Sequence, residues 1–592
     1  MVQRIFAMSR LLATAILLLT YSLAVNAQST TEKPNIIFIL ADDQGWNGTS
    51  VQMHPDMPDS KSDYYQTPNI ERLARAGLIF SNAYSPGPMC SPTRASLQTG
   101  KSPAQLRMTN VGGSRRAAPS QRLLLPPHSS ALSTDEITIG ETLKRAGYST
   151  AWFGKWHLGG DRGPRAHGYD EHDGPTGNAD GNSEDADNPK DIFGITNRGI
   201  AFMEKNAKTG KPFYLQLWHY AVHGPIQSRE ATESASAARP SGKTHRSPSF
   251  AAMTEDLDTG VGMILDKIEE LSIADNTYVI YMSDHGAGAR LSSNSPLRQG
   301  KGTLWEGGLR VPLIIRGPGV KPGAYCHVPT VGWDLFPTFT ALAGVQGQMP
   351  QGLEGGSLRP LFASGQGRIE RSRDGIAFHF PHYGQGGPNN SPHSIILLDG
   401  FKLLKFYETN QLHLFNLKED IGEQRDLSSE LSEKTAMMHE RLNKYLKNVN
   451  AGIPIENKEF DPNAIATTGR RGGRGGRGGS AQRTAERKKE LEAFEDALKQ
   501  GDSKKLGELI ADMRQRFENS PSRPRGRQPS RTGGTSYREQ RGKDLEQLEE
   551  AYKKEDMAKL QQLITDLKKR LENAPTRSRP GRSSADGQRP DR

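Results

Sequence analysis

Three uninterrupted apolar runs constrain this chain more than any other feature. They are Asn35-Ile36-Ile37-Phe38-Ile39-Leu40, Phe213-Tyr214-Leu215-Gln216-Leu217-Trp218 and Thr277-Tyr278-Val279-Ile280-Tyr281-Met282. Runs of this length without polar alternation predict strands covered on both faces, as in a parallel sheet. Each run ends in polar residues: Asp42-Asp43, His219 with His223, and Ser283-Asp284-His285. The carboxyl ends of parallel strands are where α/β folds bind ligands. Helical patterns intervene at 67–76 and 136–146, with Pro68 at the start of the first. The alternation predicts a layered α/β domain over residues 32–370, with a mostly parallel central sheet flanked by helices.

Short strands at 394–398, 401–406 and 411–417, the first two joined at Gly400, predict a smaller antiparallel subdomain over 371–450. The chain has 592 residues, too many for one core, and further segments follow. An Arg/Gly-rich stretch over 463–485 reads as a flexible basic linker. Beyond it lies an internal repeat. Leu506, Leu509, Ile510, Met513 and Phe517 recur as Leu560, Leu563, Ile564, Leu567 and Leu571, with helical spacing in both sets. Leu491, Phe494 and Leu498 recur as Leu545, Leu548 and Tyr552. Each copy predicts a helical hairpin (486–521 and 541–575), too small to be stable without a partner. A linker over 522–540 and a disordered tail over 576–592 complete the chain.

At the other end, Arg4 and Arg10 precede an apolar stretch from Leu11 to Leu23 and the small-residue site Val25-Asn26-Ala27. This predicts a signal peptide over 1–27 and an extracytoplasmic protein, periplasmic or secreted. The apolar stretch is short for a transmembrane span, which takes about 20 residues, so no span is expected after cleavage. Two cysteines, Cys90 and Cys326, exclude a disulfide framework and a cysteine-cluster zinc site. The net charge of +10 invites a nucleic-acid reading, but its distribution removes it. Residues 463–592 hold 31 Lys/Arg against 20 Asp/Glu, so the basic excess lies in the tail and the rest is close to neutral. Nucleic acid is not the expected partner of an exported chain without aromatic stacking platforms in its repeats. The tail is instead expected to grip anionic polysaccharide or the cell envelope, or to act as a spacer.

Cys90-Ser91-Pro92-Thr93-Arg94, continuing to Thr99-Gly100, is the sharpest local motif. With Asp42-Asp43 upstream and Gly154-Lys155-Trp156-His157-Leu158-Gly159, His223-Gly224-Pro225, Ser283-Asp284-His285-Gly286 and Gly300-Lys301-Gly302-Thr303 downstream, it resembles the type I, formylglycine-dependent sulfatases of the alkaline phosphatase superfamily. The run His413-Leu414-Phe415-Asn416-Leu417 is similar to that family's C-terminal subdomain, and the resemblance spans about 33–430. It implies a sulfuric ester hydrolase in which a maturation enzyme converts Cys90 to formylglycine. One hydroxyl of the hydrated aldehyde attacks sulfur, and the other expels sulfate. It also implies a metal site of Asp42, Asp43, modified Cys90, Asp284 and His285, holding Ca2+ or alternatively Mg2+ as suits hard oxygen donors. Arg94 would orient the diol, Lys155 and Lys301 would bind sulfate oxygens, His157 would contact the second hydroxyl, and His223 would protonate the leaving oxygen. His379 and His382, in the second lobe, are expected to contact the glycan, since a sulfated carbohydrate is the expected substrate. The alternative within the superfamily is a phosphodiester or phosphonate monoester hydrolase. The alternative of another class is an anionic-polymer-binding protein.

Overall fold

The computed structural model describes residues 33–113, 119–160, 163–384, 391–462, 464, 491, 493–518 and 537–572. They fall into two compact units, one within Met1–Ala466 and one within Thr467–Arg592. The expected signal peptide, most of the two linkers and the terminal tail lie outside the described residues.

The first unit is built on an eight-stranded sheet. Its strands are β1 (Asn35–Ala41), β2 (Leu78–Phe80), β3 (Ser149–Gly154), β4 (Glu171–His172), β5 (Phe213–Trp218), β6 (Thr277–Ser283), β7 (Leu313–Arg316) and β8 (Ala324–Cys326). Across the sheet the order is β8-β2-β7-β6-β1-β5-β3-β4. Strand β1 pairs in parallel with β5 and with β6, and β7 alone runs against its neighbours. Alternation within β1 explains its sequence. Ile36, Phe38 and Leu40 enter the core on one face, and Ile37 and Ile39 enter the core on the other, all at most 1% exposed. Helices Pro68–Arg75, Ile192–Ala207 and Pro248–Glu270 cover the second face, while Cys90–Thr99, Ile139–Arg145 and Leu335–Leu342 cover the first.

A second, antiparallel sheet carries β9 (Ile376–Phe380), β10 (His393–Leu398), β11 (Phe401–Phe406) and β12 (Leu412–Asn416) in sequential order. Asp399 and Gly400, with φ of 53° and 84°, form the two-residue turn between β10 and β11. Positive φ at both positions is what a hairpin turn of matching twist requires, and Asp-Gly supplies it cheaply. Helix Ser432–Asn448 packs Met438, Leu442 and Leu446 on one face of this sheet. The other face packs Phe378, Ile395 and Leu404 against Trp305 and Trp333 of the first layer. No described helix is long and apolar enough to cross a membrane.

In the second unit the two repeats supply each other's missing partner. Helices Ser503–Glu518, Tyr537–Lys553 and Met557–Glu572, with the helical residues around Phe494, share one core of Phe494, Leu506, Ile510, Leu548, Leu560 and Ile564. Each hairpin is too small to bury enough apolar surface alone, and pairing them gives one shared core. The charges obey the same 54-residue offset. Arg514 Nε lies 2.6 Å from Glu549, and Lys568 Nζ lies 2.9 Å from Glu495. Asp502 and Asp556 cap equivalent helices, accepting from Lys505 N and Lys559 N at 2.9 Å.

Candidate active site

Four neighbouring strands, β6, β1, β5 and β3, deliver the polar residues to one edge of the sheet. Asp42 and Asp43 follow β1, Asp284 and His285 follow β6, Lys155 and His157 follow β3, and His223 follows β5. The turns there are built by close backbone approach. A Cβ on Gly286 would lie 1.7 Å from the carbonyl oxygen of Gly307, so only glycine lets the Asp284-His285 turn meet the segment that follows Lys301. Asp43 takes the left-handed region, φ 62°, and its N–H donates to Asp284 Oδ1 at 3.0 Å. Cys90 opens the helix Cys90–Thr99, all ten residues of which are buried. Arg94, one turn on, therefore shares its face. Gly302 N donates to Pro88 O at 2.9 Å, tying the Lys301 loop to the segment before Cys90.

Around Cys90 Sγ the geometry is tight. His285 Nε2 lies at 3.3 Å, Asp42 Oδ1 at 3.6 Å and Lys301 Nζ at 3.7 Å. Ligand-capable atoms of Asp42, Asp43, Cys90 and His285 all lie within 4.8 Å of one another. Asp284 borders this group, with Oδ2 3.5 Å from His285 Nε2 and 3.4 Å from Arg94. The Lys155 ammonium rests on Asp42 Oδ2, and Lys301 Nζ lies 2.5 Å from Asp43 Oδ1. Arg94 donates to Lys155 O at 2.8 Å and stacks over the Trp218 ring at 5.1 Å.

These contacts set the protonation states. Burial favours the neutral Cys90 thiol, but Lys155 and Lys301 outweigh it and hold the pKa well below the ordinary thiol value. Burial likewise opposes ionisation of Asp42, and Lys155, His223 and Arg94 overcome it, so its pKa is low. Asp284 goes the other way: burial and the Asp42 charge push it well above the carboxylate range. Burial lowers His285, yet Asp284 and Cys90 raise it on balance to about 9. His157 and His223 are both lowered, chiefly by burial, with Cys90 pulling back on the first and Asp43 and Asp42 on the second. His157 holds a left-handed backbone (φ 56°), with its N–H on Thr176 O at 2.8 Å and its carbonyl accepting from Ser91 Oγ at 2.7 Å. Strain of that kind persists only where the surroundings enforce it.

The expected cluster is thus brought together, with two corrections. His379 and His382 do not join it. His379 is 5% exposed, with Nδ1 2.6 Å from Ser394 Oγ and Nε2 2.8 Å from Gly452 O. His382 is 2% exposed and bonds Thr109 Oγ1 at 2.7 Å. Both rings are occupied in the packing and offer no face to a glycan, so the expectation of substrate contact is withdrawn. Sequence reasoning also missed two features. Lys190 is a fully buried lysine that senses Asp42, Lys155 and Asp43; nothing in Pro189-Lys190-Asp191 marks it in the sequence. The other is a buried network in which Lys402 Nζ lies 3.0 Å from Glu306 and 2.7 Å from Glu423.

The site and fold define a hydrolase of the alkaline phosphatase superfamily. Residues 34–345 match the Sulfatase family, and residues 299–451 match the N-sulphoglucosamine sulphohydrolase C-terminal family. The chain is 30% identical to a sulfatase of Formosa agariphila over 521 residues, covering 74% of this chain and 93% of the relative. It is 30% identical to human N-acetylgalactosamine-6-sulfatase, covering 58% and 68%. Among solved structures, Ps i-CgsB in complex with k-i-k-neocarrahexaose superposes with a TM-score of 0.58 at 27% identity, covering 70% of this chain and 93% of that one. The chain belongs to the type I sulfatase family and is a sulfuric ester hydrolase.

Proposed function

We propose that the protein is an exported sulfatase that removes sulfate from a sulfated carbohydrate, using a formylglycine that a maturation enzyme makes from Cys90. The observation that carries this reading is the Cys90 sulfur, buried at the start of its helix within 3.7 Å of His285, Asp42 and Lys301. A nucleophile placed there is surrounded by the cations that a sulfuryl transition state needs. The carbohydrate reading is supported by the names of the relatives, N-acetylgalactosamine-6-sulfatase and the Ps i-CgsB complex with k-i-k-neocarrahexaose among them.

Asp42, Asp43, Asp284, His285 and the modified Cys90 would hold a divalent cation, Ca2+ or Mg2+. The donor set fits it: the carboxylates are hard oxygen donors converging on one point, and His285 Nδ1 faces Gly286 O at 3.1 Å, which leaves Nε2 aimed at the same point. When bound, such a cation lowers the pKa of the diol and neutralises sulfate oxygens. Arg94 orients the diol through its fixed position between Asp284 and Lys155 O. Lys155 and Lys301 hold the nonbridging oxygens. A formylglycine hydrate at Cys90 would supply the nucleophile, a hydroxyl that has lost its proton to solvent and takes the sulfuryl group as the ester S–O bond breaks, and His223 would donate its own proton to the departing alcohol. His157 would take the proton of the remaining hydroxyl, so that sulfate leaves as the aldehyde re-forms, and water would restore the hydrate. The basic tail would either adhere to anionic polymer or envelope or act as a spacer.

The phosphonate monoester hydrolase of Silicibacter pomeroyi shares the fold, with a TM-score of 0.52 at 18% identity. Turnover of sulfate monoesters, phosphate diesters and phosphonate monoesters by the full chain and by Cys90→Ala tests the reading. Sulfate esters are expected to be hydrolysed fastest, with activity lost in the variant. Preferred phosphorus substrates, or undiminished Cys90→Ala, would refute it.

A further inference from the structure

Strand β3 ends at Gly154, and the chain turns at once to present Lys155 and His157. Gly154 and His157 both hold positive φ, 106° and 56°. Glycine does so freely, but a residue with a side chain stays there only where its surroundings enforce it. Much of that enforcement comes from one residue, Thr176. Its Oγ1 donates to Gly154 O at 2.5 Å and accepts from Trp156 N at 2.9 Å, and its carbonyl accepts from His157 N at 2.8 Å. A hydroxyl donates and accepts at one atom, so Thr176 bridges the two peptide groups that flank the Lys155 α-carbon.

The remaining bonds of the turn run elsewhere. Lys155 N donates to Trp218 O at 2.8 Å, Arg94 donates to Lys155 O at 2.8 Å, and Ser91 Oγ donates to His157 O at 2.7 Å. Ser91 and Arg94 belong to the helix that Cys90 opens, so Thr176 and that helix hold the same three residues. Thr176 is itself fixed, four residues beyond β4. Its N–H donates to Gly174 O at 2.9 Å, and nearby Asp173 Oδ2 accepts from Gly154 N at 2.7 Å and from Arg198 at 2.8 Å. Removing the hydroxyl would act on one group above all. Gly154 O would keep the Tyr220 hydroxyl at 3.2 Å, whereas Trp156 is fully buried and Thr176 Oγ1 is the acceptor of its N–H among the described residues. A buried donor without a partner is costly, so the Trp156 peptide would turn away, and Lys155 and His157 on either side would move with it.

We propose that Thr176 is a positioning residue for catalysis: through the Trp156 peptide it sets where the Lys155 ammonium and the His157 imidazole stand against the reacting sulfuryl group. The proposal rests on the roles given to those two residues above but is tested separately from them. Thr176→Val keeps the shape and removes the hydroxyl, and Thr176→Ser keeps the hydroxyl. Turnover of an aryl sulfate by the full-length enzyme is expressed per mole of Cys90 aldehyde, so that a defect in maturation does not count. In Thr176→Val, kcat and kcat/KM are expected to fall together by roughly tenfold or more, as for contacts made in the transition state, and Thr176→Ser is expected to restore both. An unchanged kcat in folded Thr176→Val, or an equal loss in Thr176→Ser, overturns the proposal. Wild-type turnover that Cys90→Ala abolishes sustains the sulfatase reading in either case. If Thr176→Val does not fold, amide hydrogen exchange in the wild-type enzyme decides. Trp156 and His157 amides protected as strongly as those of β3 support the proposal, and exchange at the rate of an exposed loop overturns it.

Discussion

Replacing Lys402 by Met tests how the second sheet supports the catalytic loop. Lys402 lies on β11, fully buried, between Glu306 at 3.0 Å and Glu423 at 2.7 Å. Glu306 also takes Arg310 Nε at 2.8 Å and Tyr84 OH at 3.1 Å, and its N–H donates to Glu423 Oε2 at 2.8 Å. Leu304 N donates to His393 Nε2 at 2.9 Å, so two bonds from the antiparallel sheet hold the segment just after Lys301. Removing one member of a buried ion pair costs about 3–5 kcal/mol. At about 2.1 cal/mol/K per residue, a unit of roughly 430 residues has an unfolding entropy near 0.9 kcal/mol/K, so the midpoint falls by about 3–6 °C. The pH dependence is the sharper part. Burial raises Glu423 to about 7, with Lys402 opposing the rise and Glu306 adding to it. Without Lys402 the pKa climbs further. A carboxyl with a raised folded pKa contributes stability that is full below its unfolded value and is lost as pH rises through the folded one. The deficit of Lys402→Met relative to wild type is therefore expected to widen from pH 5 to pH 8 in calorimetric scans. The kcat/KM for sulfate esters should fall about tenfold or more at 25 °C from the displaced Lys301. A variant within 1 °C of wild type across that range (a shift of under about 1 kcal/mol), with unaltered kcat/KM, would refute the reasoning.

Other consequences are accessible to the same enzyme. His223 must be protonated to act on the leaving oxygen, and burial places its pKa below 6.5; kcat/KM should therefore decline as pH rises through that lowered value, and His223→Ala should lose this limb, most visibly with poor leaving groups. Lys155→Ala and Lys301→Ala should each cost about 10²–10³ in kcat, measured on an aryl sulfate. His379, His382 and His393 are pushed by burial to about 4, 3 and 4. The unfolded chain protonates first, so stability present above 6.5 is lost on acidification, by roughly 2 kcal/mol per histidine at pH 5; urea midpoints at pH 7 and pH 5 check this. Dialysis against a calcium chelator should abolish turnover, and Ca2+ should restore it.

Much of this molecule is written locally in its residues. The apolar run 35–40 could only be a strand covered on both faces, and Asp42-Asp43 at its end had to lie at the binding edge of the sheet. Gly400 announced the turn between two of the short strands, and the structure adds Asp399 to it. The histidines of the second lobe misled because residue type says nothing about which way a side chain faces: His379 and His382 satisfy Ser394, Gly452 and Thr109 inside the packing. Lys190 was invisible for the opposite reason, since its burial depends on Asn188 and Gln227 bonds formed only in the folded loop. The repeats showed their helices in the sequence, but the pairing of Arg514 with Glu549 and Lys568 with Glu495 emerges only when the two hairpins pack together.

The central claim is that the nucleophile is an oxidised Cys90. Mass spectrometry of the Cys90 peptide from active full-length enzyme, after trapping with an aldehyde-specific hydrazide, tests it most directly. The account predicts an aldehyde at Cys90 in proportion to specific activity across preparations. Full sulfatase activity in protein whose Cys90 remains an unmodified thiol would contradict it.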